Sequence, residues 1–173
     1  MLFLSRFIAA KCIDVQKSIL FVIVLVISFS LNAQENKVKS DIKLVVDTFF
    51  KGLHKGDSTL MASTLHKNIK IQTTSSMRGP NGFLQTDSRK KLLTAIANKK
   101  PEHMYLEKLL SYDIKVDGNI ASVWTPYEFY FNSNFSHCGA NSFQLFKENE
   151  QWKIIYLVDM RRRDNCNALV DKK

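Results

Sequence analysis

"NSFQLFKENEQWKIIYLVDM", residues 141–160, decides the fold of this chain. Both halves of the stretch are rich in aromatic and β-branched residues, and the short polar segment between them centres on Asn149-Glu150. Two such runs joined by a few turn-forming residues are typical of a β-hairpin. The stretch therefore predicts two antiparallel strands that turn near Asn149-Glu150.

The register of this hairpin predicts apolar side chains on both of its faces. A regular turn pairs Leu145 with Ile154 and Phe143 with Tyr156, and directly opposed residues share a face. The last strand then carries Trp152, Ile154, Tyr156 and Val158 on one face, and Ile155, Leu157, Asp159 and Arg161 on the other. A hairpin with apolar side chains on both faces is expected to be covered on both sides, as in the middle of a sheet or at a dimer interface.

"DGNIASVWTPYEFYF", residues 117–131, forms a second predicted hairpin with the strand before it. A two-residue turn at Asp117-Gly118 pairs Val116 with Asn119. One face is then apolar and carries Tyr112, Ile114, Val116, Ala121, Val123, Tyr127 and Phe129. The other face carries Asp113, Lys115, Ser122, Trp124 and Glu128. A sheet with one apolar face is expected to pack against helices.

The part of the chain before these hairpins predicts three helices and one short strand. Apolar residues three to four apart predict helices over 40–57 and 86–100, with a short helix over 58–66 between them. The alternating stretch 69–74 predicts a strand, and the Pro and Gly residues of 76–82 predict a loop or a hairpin turn. Helices followed by antiparallel strands define an α+β fold.

The N-terminus has the layout of a secretory signal peptide. Basic residues precede the apolar run "ILFVIVLVISF" at 19–29, and a short polar stretch ending at Ala33 follows it. We expect cleavage after residue 33, which leaves 34–173 as a single domain with no stable membrane span. The alternative is a retained membrane anchor. The expected location is outside the cytoplasm, either periplasmic or secreted.

The positive charge is spread along the chain. The full chain carries 25 Lys and Arg against 16 Asp and Glu, and three of the basic and one of the acidic residues lie in 1–33. Basic residues without a single stripe indicate a solvated surface, so we expect no nucleic-acid partner. For Arg161–Arg163, the alternatives are pairing with Asp159 or Asp164 at a rim, or an anion site at a cavity mouth.

Two cysteines follow the predicted cleavage site. In an exported chain Cys138 and Cys166 can form a disulfide. A free pair and a metal site with His137 are the alternatives, although two Cys and one His without CxxC spacing are a weak zinc signal. We expect neither a metal nor a cofactor.

Residues 38–165 resemble the nuclear transport factor 2-like superfamily. The order of elements carries this resemblance, together with the two hairpins quoted above. Residues 137–166 are similar to the exported, lumazine-binding-like group, in which a Trp-Lys-Ile such as Trp152–Ile154 leads into an Asp-x-Arg-Arg such as Asp159–Arg162. The resemblance implies a cone-shaped, strongly curved antiparallel sheet packed on three helices of the N-terminal half, a cystatin-like roll.

Seven residues are candidates for a ligand pocket in such a fold. Histidines titrate near neutral pH, buried tyrosines seek hydrogen-bond partners, and arginine binds carboxylates in a forked geometry. The candidates are His66, Tyr112, Tyr127, His137, Tyr156, Asp159 and Arg161. Each also has a purely structural interpretation, in core packing or in hydrogen bonding.

The superfamily includes both enzymes and binding proteins, so the fold alone does not define the function. No catalytic arrangement transfers residue by residue, and the catalytic residues are unknown. We therefore expect a domain that binds a small molecule or a partner. One alternative is an acid–base enzyme of the isomerase, cyclase or dehydratase kind. The other is an oligomeric module, a homodimer joined through the outer sheet face at Trp124, Glu128, Ile155 and Leu157.

Overall fold

The structure, a computed structural model, describes residues 34–76 and 82–166. The chain divides into two units, Met1–Val38 and Lys39–Lys173, and the described part of the first unit is helical. The predicted signal peptide and all but the two ends of the predicted 76–82 loop lie outside the described residues. Within the described ranges, no helix combines the length and the apolar character that crossing a membrane requires.

Three helices form where the apolar spacing predicts them. They are α1 over residues 34–55, α2 over Ser58–Thr64 and α3 over Arg89–Ala97. Asp57 caps α2 by accepting a hydrogen bond from the backbone amide of Leu60 at 2.8 Å, and Ser88 caps α3 by accepting from Lys91 at 3.1 Å. A side-chain oxygen at these positions satisfies an amide that the first helical turn leaves without a partner.

Seven strands make up the sheet, two of which the sequence did not resolve. In chain order they are β1 Leu65–Ser75, β2 Phe83–Asp87, β3 Tyr105–Leu109, β4 Asp113–Asp117, β5 Ile120–Phe131, β6 Asn134–Glu148 and β7 Gln151–Arg162. β1 begins four residues before the predicted strand, β2 was not predicted, and β3 is separated from β4 by a break. The short elements escape prediction because five residues carry little periodic signal.

The strands lie in the order β2-β1-β7-β6-β5-β3, and β4 also pairs with β5. The hairpins β4–β5, β5–β6 and β6–β7 are antiparallel as predicted, but β1 pairs with β7 in parallel. The α+β class is confirmed, and the sheet is mixed rather than wholly antiparallel. A parallel partner so distant in sequence leaves no local turn signal, so only the tertiary structure reveals it.

The β4–β5 hairpin has the predicted faces in a different register. Val116 lies opposite Ala121, not Asn119, because the two-residue turn is Gly118-Asn119. Gly118 has a φ of 56°, a left-handed conformation that glycine adopts without steric cost. Since the register moves by two residues, every side chain keeps its predicted face.

The β6–β7 hairpin turns at Asn149-Glu150 as predicted, but a β-bulge changes its faces. Leu145 lies opposite Ile154 as expected, whereas Gln144 then lies opposite Tyr156 and Ile155 is left without an opposed residue. The predicted pairing of Phe143 with Tyr156 is wrong, since Phe143 lies opposite Leu157. One extra residue reverses the faces of everything after it, which turns Leu157, Asp159 and Arg161 toward the helices and Tyr156 away from them.

The core lies between the helices and the inner face of the sheet. Phe49 and Phe50 of α1 both meet Phe143 of β6 edge-on, with ring centroids 5.8 and 6.0 Å apart. Other fully buried apolar residues include Ile42, Val46, Met61, Val123, Leu145 and Ile154. Edge-to-face packing of this kind adds to the free energy that burial itself contributes.

Candidate functional site

A cavity of about 210 Å³ lies between the helices and the inner face of the sheet. All three helices and the strands β1, β3, β5 and β7 contribute to its apolar wall. The apolar lining residues are Phe49, Phe50, Leu53, Met61, Ile71, Leu92, Tyr105, Phe129 and Leu157. The cavity is smaller than the 300 Å³ or more of drug-sized sites, so it suits a ligand of one or two rings.

A buried carboxylate, Asp159, stands among the polar lining residues. It is 8% exposed, and its Oδ1 accepts a hydrogen bond from Thr73 Oγ1 at 2.6 Å. Its Oδ2 accepts from Arg161 Nε at 2.5 Å. The Arg161 side chain is 44% exposed, so it lies at the open end of the cavity while it neutralises the buried charge. Two donors, Thr73 and Arg161, therefore satisfy both oxygens of the buried Asp159 carboxyl group.

A second carboxyl group, that of Glu107, lies in a different environment. Its Oε1 accepts a hydrogen bond from Asn141 Nδ2 at 2.7 Å, which is the only hydrogen bond to its carboxyl group from the described residues. Although Glu107 is only half-buried as a residue, its carboxyl end is enclosed, and this burial raises its pKa to about 8. The charge of Asp159 raises this pKa further, while the Asn141 bond and Arg161 oppose the shift. Glu107 is consequently protonated at neutral pH.

His54 of α1 fixes the backbone at Glu107. The amide of Glu107 donates to His54 Nε2 at 2.9 Å, and burial lowers the pKa of His54. Because an amide can donate only to an unprotonated ring nitrogen, both observations favour neutral His54. This hydrogen bond fixes β3 to α1 at Glu107, whose side chain lines the cavity.

Tyr127 lines the cavity and lies opposite a glycine. Its hydroxyl donates to the carbonyl oxygen of Met160 at 3.2 Å, and burial raises its pKa. Gly139 lies opposite Tyr127, and a Cβ there would lie 1.6 Å from the Met160 oxygen and 3.0 Å from the Tyr127 hydroxyl. Only glycine allows the strands and the tyrosine to approach so closely.

His137 is a further cavity residue with a large pKa shift. Its ring lies 5.0 Å from that of Phe129 and edge-on to Tyr127, and its Nδ1 is 3.0 Å from Ser136 Oγ. Burial lowers its pKa to about 4, and Arg161 adds to the effect. His137 is therefore neutral at pH 7, with an unprotonated ring nitrogen available.

Four of the seven predicted pocket residues line the cavity, namely Tyr127, His137, Asp159 and Arg161. Their role as ligand contacts stays a prediction. Two of them enter by a route that the sequence did not indicate. The bulge at Ile155 brings Asp159 and Arg161 to the inner face.

His66, Tyr112 and Tyr156 are not among the cavity-lining residues. α2 ends at Thr64, so His66 belongs to β1, where its Nε2 is 3.8 Å from Glu148 Oε2. Tyr112 falls in the break before β4 and donates a hydrogen bond to Asp47 on α1. Tyr156 is turned outward by the bulge, and its hydroxyl donates to Gln72 at 2.5 Å. The expected inward face of Tyr156 is therefore wrong, whereas Tyr112 faces α1 without lining the cavity.

Glu107, Asn141, Thr73 and His54 are site residues that the sequence prediction missed. A signal existed for Glu107, since in the alternating "YLEKL" it shares a face with Tyr105 and Leu109 rather than with Lys108. An acidic residue on the apolar face of a strand indicates a buried carboxyl group. His54 carried no such signal, because its partner is a backbone amide of a distant strand.

Arg161 and Arg162 have different partners, as alternation along a strand requires. Arg161 pairs with Asp159 as predicted, although the Asp159 carboxyl group is buried, and Arg162 Nη2 donates to the carbonyl of Asn165 at 3.4 Å. Cys138 and Cys166 form a disulfide, which ties the segment after β7 to β6. Among residues 34–76 and 82–166, no three His, Cys, Asp or Glu side chains are grouped as a metal site.

The arrangement of elements is that of nuclear transport factor 2-like proteins. A Shewanella baltica protein of that fold has a TM-score of 0.54 at 18% identity, over 74% of this chain and 96% of its own. A Mycobacterium tuberculosis protein of unknown function has 0.61 at 13% identity, over 78% of each chain. A Streptomyces avermitilis protein described as a "putative dehydratase" has 0.57 at 11% identity, over 74% and 98%. At these identities the likeness shows the fold alone.

Residues 37–158 match the family described as "Putative lumazine-binding". The match covers more than half of the chain, so the chain belongs to this family. The predicted resemblance to the nuclear transport factor 2-like superfamily and its lumazine-binding-like group is thus confirmed. No curated protein sequence matches the chain.

Proposed function

We propose that this protein binds a small, mainly apolar molecule in the cavity between its helices and its sheet. The observation that carries the proposal is an apolar cavity of about 210 Å³ into which a few polar groups converge. Such a combination is the usual form of a small-molecule site, in which apolar walls provide affinity and polar groups fix orientation. The family description makes lumazine, a compact two-ring compound, the first ligand to test.

The test is calorimetric titration of the protein with lumazine and a panel of one- and two-ring compounds. Leu53 on α1 lines the cavity, whereas Leu44 on the same helix is 64% exposed. Leu53→Trp fills the cavity and is expected to weaken binding at least about tenfold, a loss of about 1.4 kcal/mol. Leu44→Trp is the matched control and is expected to bind as the wild type does. Equal binding by both variants would place the ligand elsewhere.

A second candidate function, acid–base catalysis, rests on the opposite pKa shifts of two cavity residues. Protonated Glu107 is a potential general acid and neutral His137 a potential general base, with pKa values of about 8 and about 4. Both residues lie opposite Phe129, on either side of it in the sheet. Groups whose pKa values are driven apart in one cavity can exchange protons with a bound substrate.

The catalytic candidate predicts exchange of an acidic C–H proton of a bound carbonyl compound with solvent deuterium. His137 would remove the proton while Glu107 protonates the carbonyl oxygen. The rate would be greatest between about pH 4 and about pH 8, where both groups are in the required form. Loss of the exchange in both Glu107→Gln and His137→Gln supports catalysis. If every carbonyl compound that binds in the cavity shows no proton exchange, the catalytic candidate is wrong and only ligand binding remains.

Export is also part of the proposal, and the predicted signal peptide supports it. The expected mature protein begins at Gln34 and is found outside the cytoplasm, in the periplasm or the medium. N-terminal sequencing of the protein from each cell fraction tests this. A full-length chain in the membrane fraction would instead indicate a retained anchor.

A homodimer through the outer sheet face is proposed on the exposed apolar side chains there. Trp124 is 51% exposed and Ile120 47% exposed on β5. The predicted place of Leu157 on this surface is wrong, since Leu157 is buried on the inner face. Light scattering at high protein concentration is expected to give the mass of a dimer, and Trp124→Asp the mass of a monomer. A monomeric wild type would contradict the proposal.

A further inference from the structure

The cavity has an acidic lining inside a basic protein. Its lining includes three carboxyl groups, those of Asp87, Glu107 and Asp159, and one guanidinium group, that of Arg161. From residue 34 onward the chain carries 22 Lys and Arg against 15 Asp and Glu. The sign of the lining is thus opposite to that of the chain as a whole. Because local charges dominate in an enclosed site, the lining and not the net charge selects the ligand.

Two of the three carboxyl groups already have positively charged partners. Both oxygens of Asp159 accept hydrogen bonds, from Thr73 and from Arg161. Asp87 is paired with Lys91 and also accepts from Gln85 at 2.9 Å. The charges of these two residues are therefore balanced within the protein.

Glu107 differs from both, because the described residues offer its Oε2 no hydrogen bond. Its Oε1 accepts from neutral Asn141, and its backbone amide binds neutral His54. The other groups that face it are Tyr127, whose hydroxyl donates to Met160, His137, which is neutral, and the Asp159–Arg161 pair, which is internally compensated. Glu107 Oε2 is thus a carboxyl oxygen in the cavity to which no group in 34–76 or 82–166 donates a hydrogen bond.

The walls around this carboxyl group are aromatic. Phe49, Phe50, Tyr105, Tyr127 and Phe129 all line the cavity. The electron-rich faces of aromatic rings attract cations, and the attraction is strongest where water is excluded. An aromatic enclosure with one uncompensated carboxyl group is chemically suited to an organic cation.

We propose that the ligand carries a protonated amine, which binds Glu107 Oε2 while its apolar part occupies the aromatic cavity. This inference rests on the proposed ligand-binding function and specifies its ligand class. On binding, the carboxyl group loses its proton to solvent and forms a charge-assisted hydrogen bond with the ammonium group. Charge is balanced, since one positive ligand enters as one proton leaves.

Three probes with the same ring test the inference, namely benzylamine, benzyl alcohol and benzoate. They are of nearly equal size and differ in charge. Benzylamine is expected to bind at least about tenfold more tightly than benzyl alcohol, since one charge-assisted hydrogen bond contributes at least that factor. At pH 7, titrations in buffers of different ionisation enthalpy are expected to show release of about one proton per benzylamine bound. Benzyl alcohol is expected to release none.

Glu107→Gln keeps the size of the side chain and removes its ability to ionise. This variant is expected to lose both the preference for benzylamine and the proton release. Glu102→Gln removes a carboxyl group from an exposed position. This variant is expected to keep the preference for benzylamine and the proton release. The proton release of the wild type is a separate readout, which tests the inference even if Glu107→Gln does not fold.

The possible failures are distinguishable. If benzyl alcohol or benzoate binds in the cavity more tightly than benzylamine, the inference is overturned while the proposed function stands. Benzylamine binding with no proton release, or with proton uptake, also overturns it. If none of the three probes binds and Leu53→Trp behaves as the wild type toward the whole panel, both proposals are wrong.

Discussion

Glu107 is the residue that most clearly separates a functional interpretation of this cavity from a structural one. A carboxyl group enclosed with a single neutral donor destabilises the folded state whenever it ionises. Glu107 lies two residues from Tyr105 on β3, where side chains alternate between the exposed face and the inner face. A leucine at this position would avoid the cost of burying an ionisable group. The proposed ligand would offset this cost by pairing with the carboxyl group.

Glu107→Gln is expected to change how stability depends on pH. The pKa of Glu107 is raised from its usual 4.5 to about 8, so the folded state holds a proton that the unfolded state releases in this interval. The wild type should therefore lose stability as pH rises from about 4.5 to about 8, by about 3–5 kcal/mol from this group. The Gln variant should lack that loss. Urea unfolding of both proteins at pH 5 and pH 8 measures the difference, and parallel pH profiles would contradict it.

Gly139→Ala is expected to destabilise the fold and to displace Tyr127. A Cβ at 1.6 Å from the Met160 carbonyl oxygen cannot be accommodated unless β6 and β7 separate. We expect a loss of about 3 kcal/mol in the free energy of unfolding. Gly118→Ala is the matched control, because a Cβ there meets open space and only its φ of 56° costs about 1 kcal/mol. Equal losses in the two variants would disprove the close approach.

Among the elements, β7 determines which charged side chains line the cavity. The bulge at Ile155 divides it into a first half that obeys the predicted alternation and a second half that reverses it. Without the bulge, Asp159 and Arg161 would face away from the helices and Tyr156 would take their place. The sequence alone could not predict this, because nothing in "KIIYLVD" distinguishes a regular strand from a bulged one.

Deletion of Ile155 is expected to preserve ligand binding. Without the extra residue the strand is regular, and Tyr156, Leu157 and Asp159 keep their present partners Gln144, Phe143 and Asn141, so Asp159 and Arg161 still face the cavity. Ile155→Ala removes the side chain but keeps the bulge, so it should bind normally. Circular dichroism, thermal unfolding and titration compare the two. Loss of binding in the deletion variant, with binding kept in Ile155→Ala, would contradict this prediction.

At the scale of the whole molecule, the disulfide holds the last described segment against the sheet. Cys138 is fully buried on β6, directly opposite Arg162, and its partner lies beyond the end of β7. The cross-link thus secures the end of the strand that carries Asp159 and Arg161. The sequence predicted this pair, although a free pair and a metal site remained as alternatives at that point.

The double variant Cys138→Ala/Cys166→Ala is expected to be about 3 kcal/mol less stable than the oxidised wild type. The loss arises because the unfolded chain regains the conformational freedom that the cross-link removes. Chemical unfolding of the oxidised wild type, the reduced wild type and the double variant provides the measurement. The reduced wild type and the double variant should agree closely. No difference between the oxidised and reduced wild type would contradict the prediction.

Local pattern by itself determined the helices, the long hairpins, the disulfide pair and the α+β class of this protein. Each of these depends on spacing between residues that are close in sequence, or on the small number of ways to pair two cysteines. The tertiary structure alone decided that β1 runs parallel to β7, that the bulge turns Asp159 inward, and that Glu107 meets Asn141 and His54. These features depend on contacts between distant strands and on a one-residue irregularity, because neither leaves a periodic trace in the sequence.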